Sequence, residues 1–494
     1  MVRDSTVSNL RVDPRLLIAA AALVVVLTYI LTSAMIFRIG FPLDDAWIHF
    51  TYARNVAEYG EWAFRLGEQS AASTAPLWTL MIAIGYFLGL APYIWTFFLG
   101  WLCLTLIGIY AEDVAQQLVN SYRPRLPWVG FFFVTVWHLA WSAVSGMETL
   151  LHGYILLLTL SLLISGSRRY LTLGLLAGIS VWVRPDGLTL LGPIVFTAVL
   201  IEKTAKQRND ALLKILIGFG ALFVPYLLFN LALSGTPMPN TFYAKQAEYQ
   251  EYWLSQPFIA RTGNYLNPLL ASPFVVLIPG AVLWLAKAIR ARSWGTVAGA
   301  IWFAGYIAIY FMRLPAYQHG RYIIPALPIL YLWGMLGMMD YIFSAKANQR
   351  VVMLWGSLLG ALCLLFTVLA ARQNAYDVYW IETEMVGTAE WVQQNVPPDA
   401  LLAVHDIGAL GYYVPNPMID LAGLITPDVV PFIRDSKGLT DYLNEQSADY
   451  LIVFSDQYPS LIAGRRSLFS SGSRFDLLQF DGHIEVYRWR EELK

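Results

Sequence analysis

Two adjacent carboxylates, Asp44 and Asp45, stand in the stretch FPLDDAWIHFTYARN at residues 41–55, shortly after an unbroken apolar run. Paired acids at such a place can do one of two things. They can open a helix, since Pro42 precedes them and acids favour a first turn. Alternatively, one can accept a proton from an incoming hydroxyl when its twin and the neighbouring Trp47 and Phe50 raise its proton affinity. Asp45 and His49 are four residues apart, so they could also share a divalent cation, although two ligands make a sparse site. No other cofactor is expected, and with no Gly-rich phosphate loop, zinc-ligand spacing or Ser-His-Asp pattern in the sequence a nucleotide-driven or hydrolase reading has no support.

Other polar residues could complete such a reaction. Glu148 in SGMETLLHG is either a first-turn acid or a site carboxylate at membrane depth, where an unpaired charge is costly. Arg184 and Asp186 in VRPDGL form a turn with a local ion pair or present a guanidinium fork suited to phosphate. Lys245, close to Tyr243 in GTPMPNTFYAK (235–245), and Arg321, beside Tyr322 in YQHGRYIIP (317–325), are headgroup anchors or anion ligands. Catalytic candidates are therefore Asp44, Asp45 and Glu148. Candidates for holding a donor phosphate or the rest of a substrate are Arg184, Asp186, Asn240, Tyr243, Lys245, His319 and Arg321.

The elements that must position these residues are helices in lipid. The 494-residue chain is 57% hydrophobic and 14% charged, against about 25% charged in soluble domains. Cys103 and Cys363 both lie in apolar runs and read as small core residues. The run 16–37 follows Arg3, Arg11 and Arg15 and reaches the roughly 20 residues of a bilayer span, so it is expected as a retained first helix with a cytoplasmic N-terminus. Further spans are expected near 127–145, 149–166, 171–184, 188–203, 211–234, 268–290, 295–312, 322–345 and 350–372. Residues 76–111 are expected to hold one full span and a partly embedded helix near 76–89.

That arrangement gives about eleven crossings, with twelve or thirteen as alternatives. Placing the basic loops 120–127, 165–170, 202–210, 287–294 and 344–350 inside puts nearly every polar motif on the opposite face. A one-sided site of this kind fits an enzyme better than a transporter, whose ionisable groups would line a path near the midplane. The expected fold is an α-helical polytopic membrane protein with a transmembrane domain over 1–372, an outer catalytic loop over 38–75, and a small extracytoplasmic α/β domain over 373–494. In that last domain, 401–413 reads as strand, turn and helix, and 448–456 as a buried strand. Residues 475–490 alternate around Asp481-Gly482 as a hairpin would.

Taken in order, DDAWIHFTYARNVAEYG, STAPLW (73–78), SGMET, VRPDG, GTPMPNTFYAK, HGRYIIPALP (319–328) and DIGALGYY (406–413) resemble the GT-C superfamily of polytopic glycosyltransferases. The likeness is nearest to the group that includes cell-wall terminal arabinofuranosyltransferases. The resemblance implies a plasma-membrane hexosyl- or pentosyltransferase that takes a sugar from a polyprenyl-phosphate donor entering sideways from the bilayer. It implies a glycan or lipid acceptor, membrane lipid as surroundings, and no nucleic acid. It also implies Asp44 as the base, with Asp45 as the next candidate. The alternatives are a polymerase or ligase using a pyrophosphate-linked glycan and, less well supported, a lipid or solute transporter.

Overall fold

The structure, a computed structural model, describes residues 13–472 and 482–490, and only the backbone of residues 250–252. Asp13 accepts the backbone N–H of Arg15 at 2.9 Å, and Pro14 supplies the first residue of the helix Pro14–Ile36, so the first span starts from a capped turn with a fixed φ. Its 23 residues extend about 35 Å, enough for a hydrocarbon core of about 30 Å.

Among the described residues six helical runs are long and apolar enough to cross a membrane: Pro14–Ile36, Pro92–Leu118, Ala205–Ser234, Trp294–Arg313, Tyr317–Ile342 and Gln349–Asn395. Phe258–Leu270 and Phe274–Arg290 make a further pair, bent by 93°. Elsewhere the expected crossings are shorter helices, Thr149–Ile164, Tyr170–Val183 and the run Pro185–Ile201. The stretch near 127–145 is cut at Val136 into Trp128–Thr135 and Trp137–Ala143. Pro76–Phe87, with 12 residues, is the short helix expected beside the full span Pro92–Leu118.

These short elements each bury one side against neighbouring helices. Helix ends at membrane depth are tolerated where buried partners meet their backbone groups. At the Val136 break, Thr367 Oγ1 donates to the Thr135 carbonyl at 3.1 Å. Glu112, inside Pro92–Leu118, accepts the N–H groups of Val129 and Gly130 at 3.1 Å each and so caps the helix that starts at Trp128.

Small residues set the closest helix approaches. A Cβ at Gly218 would strike the backbone oxygen of Leu171 and the backbone nitrogen of Leu175, while one at Gly220, two residues on, would meet nothing within 4 Å. Backbone cannot swing aside as a side chain can. Gly218→Val should therefore cost about 1–3 kcal/mol of overpacking and lower the thermal midpoint of the purified protein in detergent. Gly220→Ala should leave it unchanged, and equal midpoints for the two variants would refute this packing.

Beyond the last span lies a five-stranded sheet, in the order Met418–Asp420, Leu402–Val404, Tyr450–Phe454, Ile484–Arg488, Ser467–Ser470. The first three strands are parallel and the last two pairings antiparallel. Strand Leu402–Val404 leads through the short helix Gly408–Tyr413 to Met418–Asp420, as the sequence predicts, and the buried strand expected at 448–456 is Tyr450–Phe454. The turn of the expected 475–490 hairpin falls on residues 473–481, outside the described residues, while Ile484–Arg488 pairs with both neighbours.

Alternation along the strands gives the sheet two apolar faces. Ala403, Leu451, Val453 and Tyr487 pack on a core of their own with Leu439 and Leu443. Leu402, Val404, Ile452, Phe454 and Val486 join the core of the membrane helices. The helix Gln349–Ile381 runs without interruption through position 373. Glu384 then accepts the backbone N–H of Ile484 at 3.0 Å and pairs with His483, tying the sheet to the end of the last span.

Candidate active site

The two acids that open the helix Asp45–Tyr59 have separate environments. Asp44 occupies the cap position of that helix, but its side chain makes no capping bond there. Instead it reaches 364 and 365 residues along the chain and accepts the backbone N–H groups of Gly408 and Ala409 at 2.8 Å each. It caps the short helix after the first strand of the C-terminal sheet. Burial is the main cause of its carboxyl rising from 3.8 to about 7, reinforced by nearby Asp406 and opposed by the N–H of Ala409.

Asp45 faces a cavity of about 360 Å³. Its Oδ2 lies 2.6 Å from Arg321 Nη2 and 3.2 Å from Lys245 Nζ. Burial alone would push this carboxyl up, but Arg321 and Lys245 outweigh it and hold the group well below the usual carboxylate range. Lys245 comes from the helix Asn240–Ser255, whose amine is held charged by Asp45 against its own burial. Both cations also approach the Tyr322 hydroxyl, at 3.5 and 3.1 Å.

A second polar set lines the same cavity. Arg184 donates from Nη1 to Glu148 Oε1 at 2.8 Å, from Nε to Asp186 Oδ1 at 3.2 Å, and from Nη2 to Tyr310 at 3.2 Å. Asp186 Oδ2 in turn accepts the hydroxyls of Tyr306 and Tyr310, each at 2.6 Å. Glu148 is fully buried, with His49 Nε2 3.5 Å away. The rest of the lining is largely apolar, with Met147, Met238, Phe242, Ile309 and Leu314 contributing. Phe242 is 38% exposed, so this wall reaches the protein surface.

Of the residues predicted from sequence, Asp45, Glu148, Arg184, Asp186, Lys245 and Arg321 line this one cavity. Four others do not. Asn240 donates to the Leu424 carbonyl at 3.3 Å and, through its backbone N–H, to that of Ala71, anchoring its helix rather than facing the cavity. Tyr243 points outward, and His319 turns away to Asp377, 2.7 Å off. Asp44 serves the C-terminal sheet region, as described above.

Asp45 and His49 both line a second, smaller cavity. Nδ1 of His49 lies 3.2 Å from both Ser73 Oγ and Thr79 Oγ1, and its other nitrogen faces Glu148. Among the described residues no group of three or more His, Cys, Asp or Glu is arranged to hold a metal ion. Residues that the sequence reading missed are Tyr306, Tyr310 and Arg313. In YIAIYFMR (306–313) they recur at intervals of four and three, the polar edge of one face on an otherwise apolar helix.

With this geometry in place, comparison with known proteins adds two findings. Residues 373–487 match a family model described as a domain of unknown function, DUF8728. Over nearly the whole chain the fold is similar to the crystal structure of ArnT from Cupriavidus metallidurans in the apo state, with a TM-score of 0.58 at 14% identity, covering 96% of this chain and 97% of that one. The same protein bound to undecaprenyl phosphate matches with a TM-score of 0.58 at 15% identity and the same coverage. The search of curated proteins returned no match. The fold is thus that of a multi-pass membrane protein of the ArnT type.

The Asp44 latch has a pH dependence of definite sign. With its carboxyl raised from 3.8 to about 7, the folded chain keeps a proton that the unfolded chain releases. This group's contribution to stability therefore falls as pH rises from about 4 to about 7. Asp420, pushed up to about 6 mainly by burial, acts in the same direction. Asp44→Asn should flatten, without abolishing, the decline of the melting midpoint over that range in detergent, and an unaltered slope would show that Asp44 carries none of it.

Proposed function

We propose that this chain is a membrane glycosyltransferase that moves a sugar from a polyprenyl-phosphate donor to a glycan or lipid acceptor on the extracytoplasmic side. The observation that carries the reading is the pair Lys245 and Arg321, two half-buried cations beside a carboxylate on the wall of a cavity with a largely apolar lining. Such a wall suits a ligand with a phosphate head and a hydrocarbon tail. The ArnT-type fold supports the reading, since one of the similar structures is described as bound to undecaprenyl phosphate.

In this reading Lys245 and Arg321 hold the donor phosphate and stabilise the charge that grows on it as the sugar departs. Asp45 is the base for the acceptor hydroxyl. Asp44, the residue that the family resemblance implies, has both oxygens occupied by backbone N–H groups and is not among the residues lining the cavity. Glu148, Arg184 and Asp186 are already bonded to one another and to tyrosines, and we assign them to shaping the sugar end of the cavity. The C-terminal sheet region, proposed here as an extracytoplasmic domain, lies on the same side as the first outer loop.

Two experiments check this. Mass spectrometry of lipids co-purifying with the protein should reveal a polyprenyl-phosphate sugar; a pyrophosphate-linked glycan in its place would favour a polymerase or ligase. In membranes of a strain relying on each variant, Asp45→Asn should reduce sugar transfer by roughly 10²–10⁴-fold, with a smaller loss for Asp44→Asn. The reverse order would return the base role to Asp44. Sidedness is read separately: single cysteines replacing Glu68 and Lys437 should react with an impermeant reagent on intact cells, and those replacing Arg168 and Gln207 should not. Labelling of the second pair alone would invert the topology.

A further inference from the structure

The cation pair of this cavity is occupied by the protein's own carboxylate. Both Lys245 Nζ and Arg321 Nη2 converge on a single oxygen, Asp45 Oδ2. Arg321 is not thereby satisfied: its Nε and Nη1 atoms are buried with no hydrogen-bond partner. Each of the two forks of this guanidinium, Nε with Nη2 and Nη1 with Nη2, includes the nitrogen that Asp45 holds, so a phosphate taking two parallel bonds must displace Asp45 from it. Arg184, at the other end of the cavity, has no such vacancy, because Glu148, Asp186 and Tyr310 already take its donors. The place for an incoming phosphate is therefore the one where Asp45 now sits.

We propose that Asp45 is a placeholder for the donor phosphate: the phosphate displaces it from Lys245 and Arg321, and only the displaced carboxylate acts as base. This rests on the reading of the site given above and adds an order of events to it. While both cations grip Asp45, the carboxylate is a poor proton acceptor. When a phosphodiester with one negative charge takes the two cations, the charges of Lys245, Arg321, Asp45 and the phosphate sum to zero, and Asp45 no longer has two positive neighbours to itself.

The transfer then balances. The acceptor oxygen forms a bond to the anomeric carbon and its proton passes to Asp45. The bond from that carbon to the phosphate oxygen breaks with its electron pair going to the phosphate, and the phosphomonoester gains the charge that Asp45 loses. The arrangement also keeps the base muted in the absence of donor, so that it does not activate water or an acceptor prematurely.

The test measures the affinity of undecaprenyl phosphate, with undecaprenol as the phosphate-free control, for the full chain in nanodiscs. A site ligand is ordinarily weakened by removing a polar residue, so the sign here discriminates. Asp45→Asn should bind undecaprenyl phosphate about tenfold more tightly than the wild type, the effect of removing a competitor from two charged bonds. Affinity for undecaprenol should not change. Asp45→Ala serves the same purpose if the Asn variant folds poorly, and for either variant the gain should also appear as a larger ligand-induced rise in melting midpoint. Unchanged or weaker binding in a folded Asp45 variant overturns the placeholder. The parent reading fails differently: Lys245→Gln and Arg321→Gln should each bind undecaprenyl phosphate at least about tenfold more weakly, and if neither does, the cavity is not the phosphate site at all.

Discussion

A carboxylate removed from water must be met by cations or by N–H donors, and this requirement connects the most distant parts of the chain. Asp45 is met by Lys245 and Arg321, 200 and 276 residues further along, and Asp44 by backbone groups 364 and 365 residues away. Neighbours in sequence thereby fasten the start of one helix to three other segments. The helix Asp45–Tyr59 cannot shift without parting Asp45 from its two cations and Asp44 from its two backbone donors. The position of the cavity wall follows from this fastening.

The same requirement explains the other buried acids. Glu148 and Asp186 share Arg184 and two tyrosines, so three charges are removed from water as one hydrogen-bonded group. Glu112 takes the open N–H groups of a helix start, and Glu384 takes a strand N–H of the sheet. Arg321, by contrast with Arg184, has two nitrogens buried and unmet. Of the arginines that line the cavity, Arg184 has every nitrogen engaged and Arg321 does not.

Much of this was legible in the sequence because lipid imposes a simple pattern. Apolar runs bounded by basic loops located nearly every helix, and the motif loops between them held six of the residues that meet in the cavity. The less legible features depend on partners rather than on local pattern. Nothing in VTVWHLA foretells the break at Val136, since what makes it tolerable is a threonine on another helix. Thr149–Ile164 and Tyr170–Val183 fall short of a full span, and the apolar runs that located them do not show this. Asp44 and Asp45 are chemically alike and adjacent, so only their partners distinguish the latch from the cavity acid. His319 has the residue type of a site ligand but lies in a turn where Gln318, His319 and Gly320 all have positive φ, which aims its ring at Asp377.

The latch also bears on how the two parts of the chain act together. The sheet buries one of its faces on the core of the membrane helices, and Asp44 reaches across that junction to the helix after its first strand. The residue that holds the junction is thus covalently next to the residue that faces the cavity. A displacement of the C-terminal sheet would pull first on Asp44 and, through one peptide unit, on Asp45 and its two cations. Residues 373–487, matched by a domain family of unknown function, are on this argument coupled to the cavity wall, and their packing against the membrane helices sets where Asp45 stands.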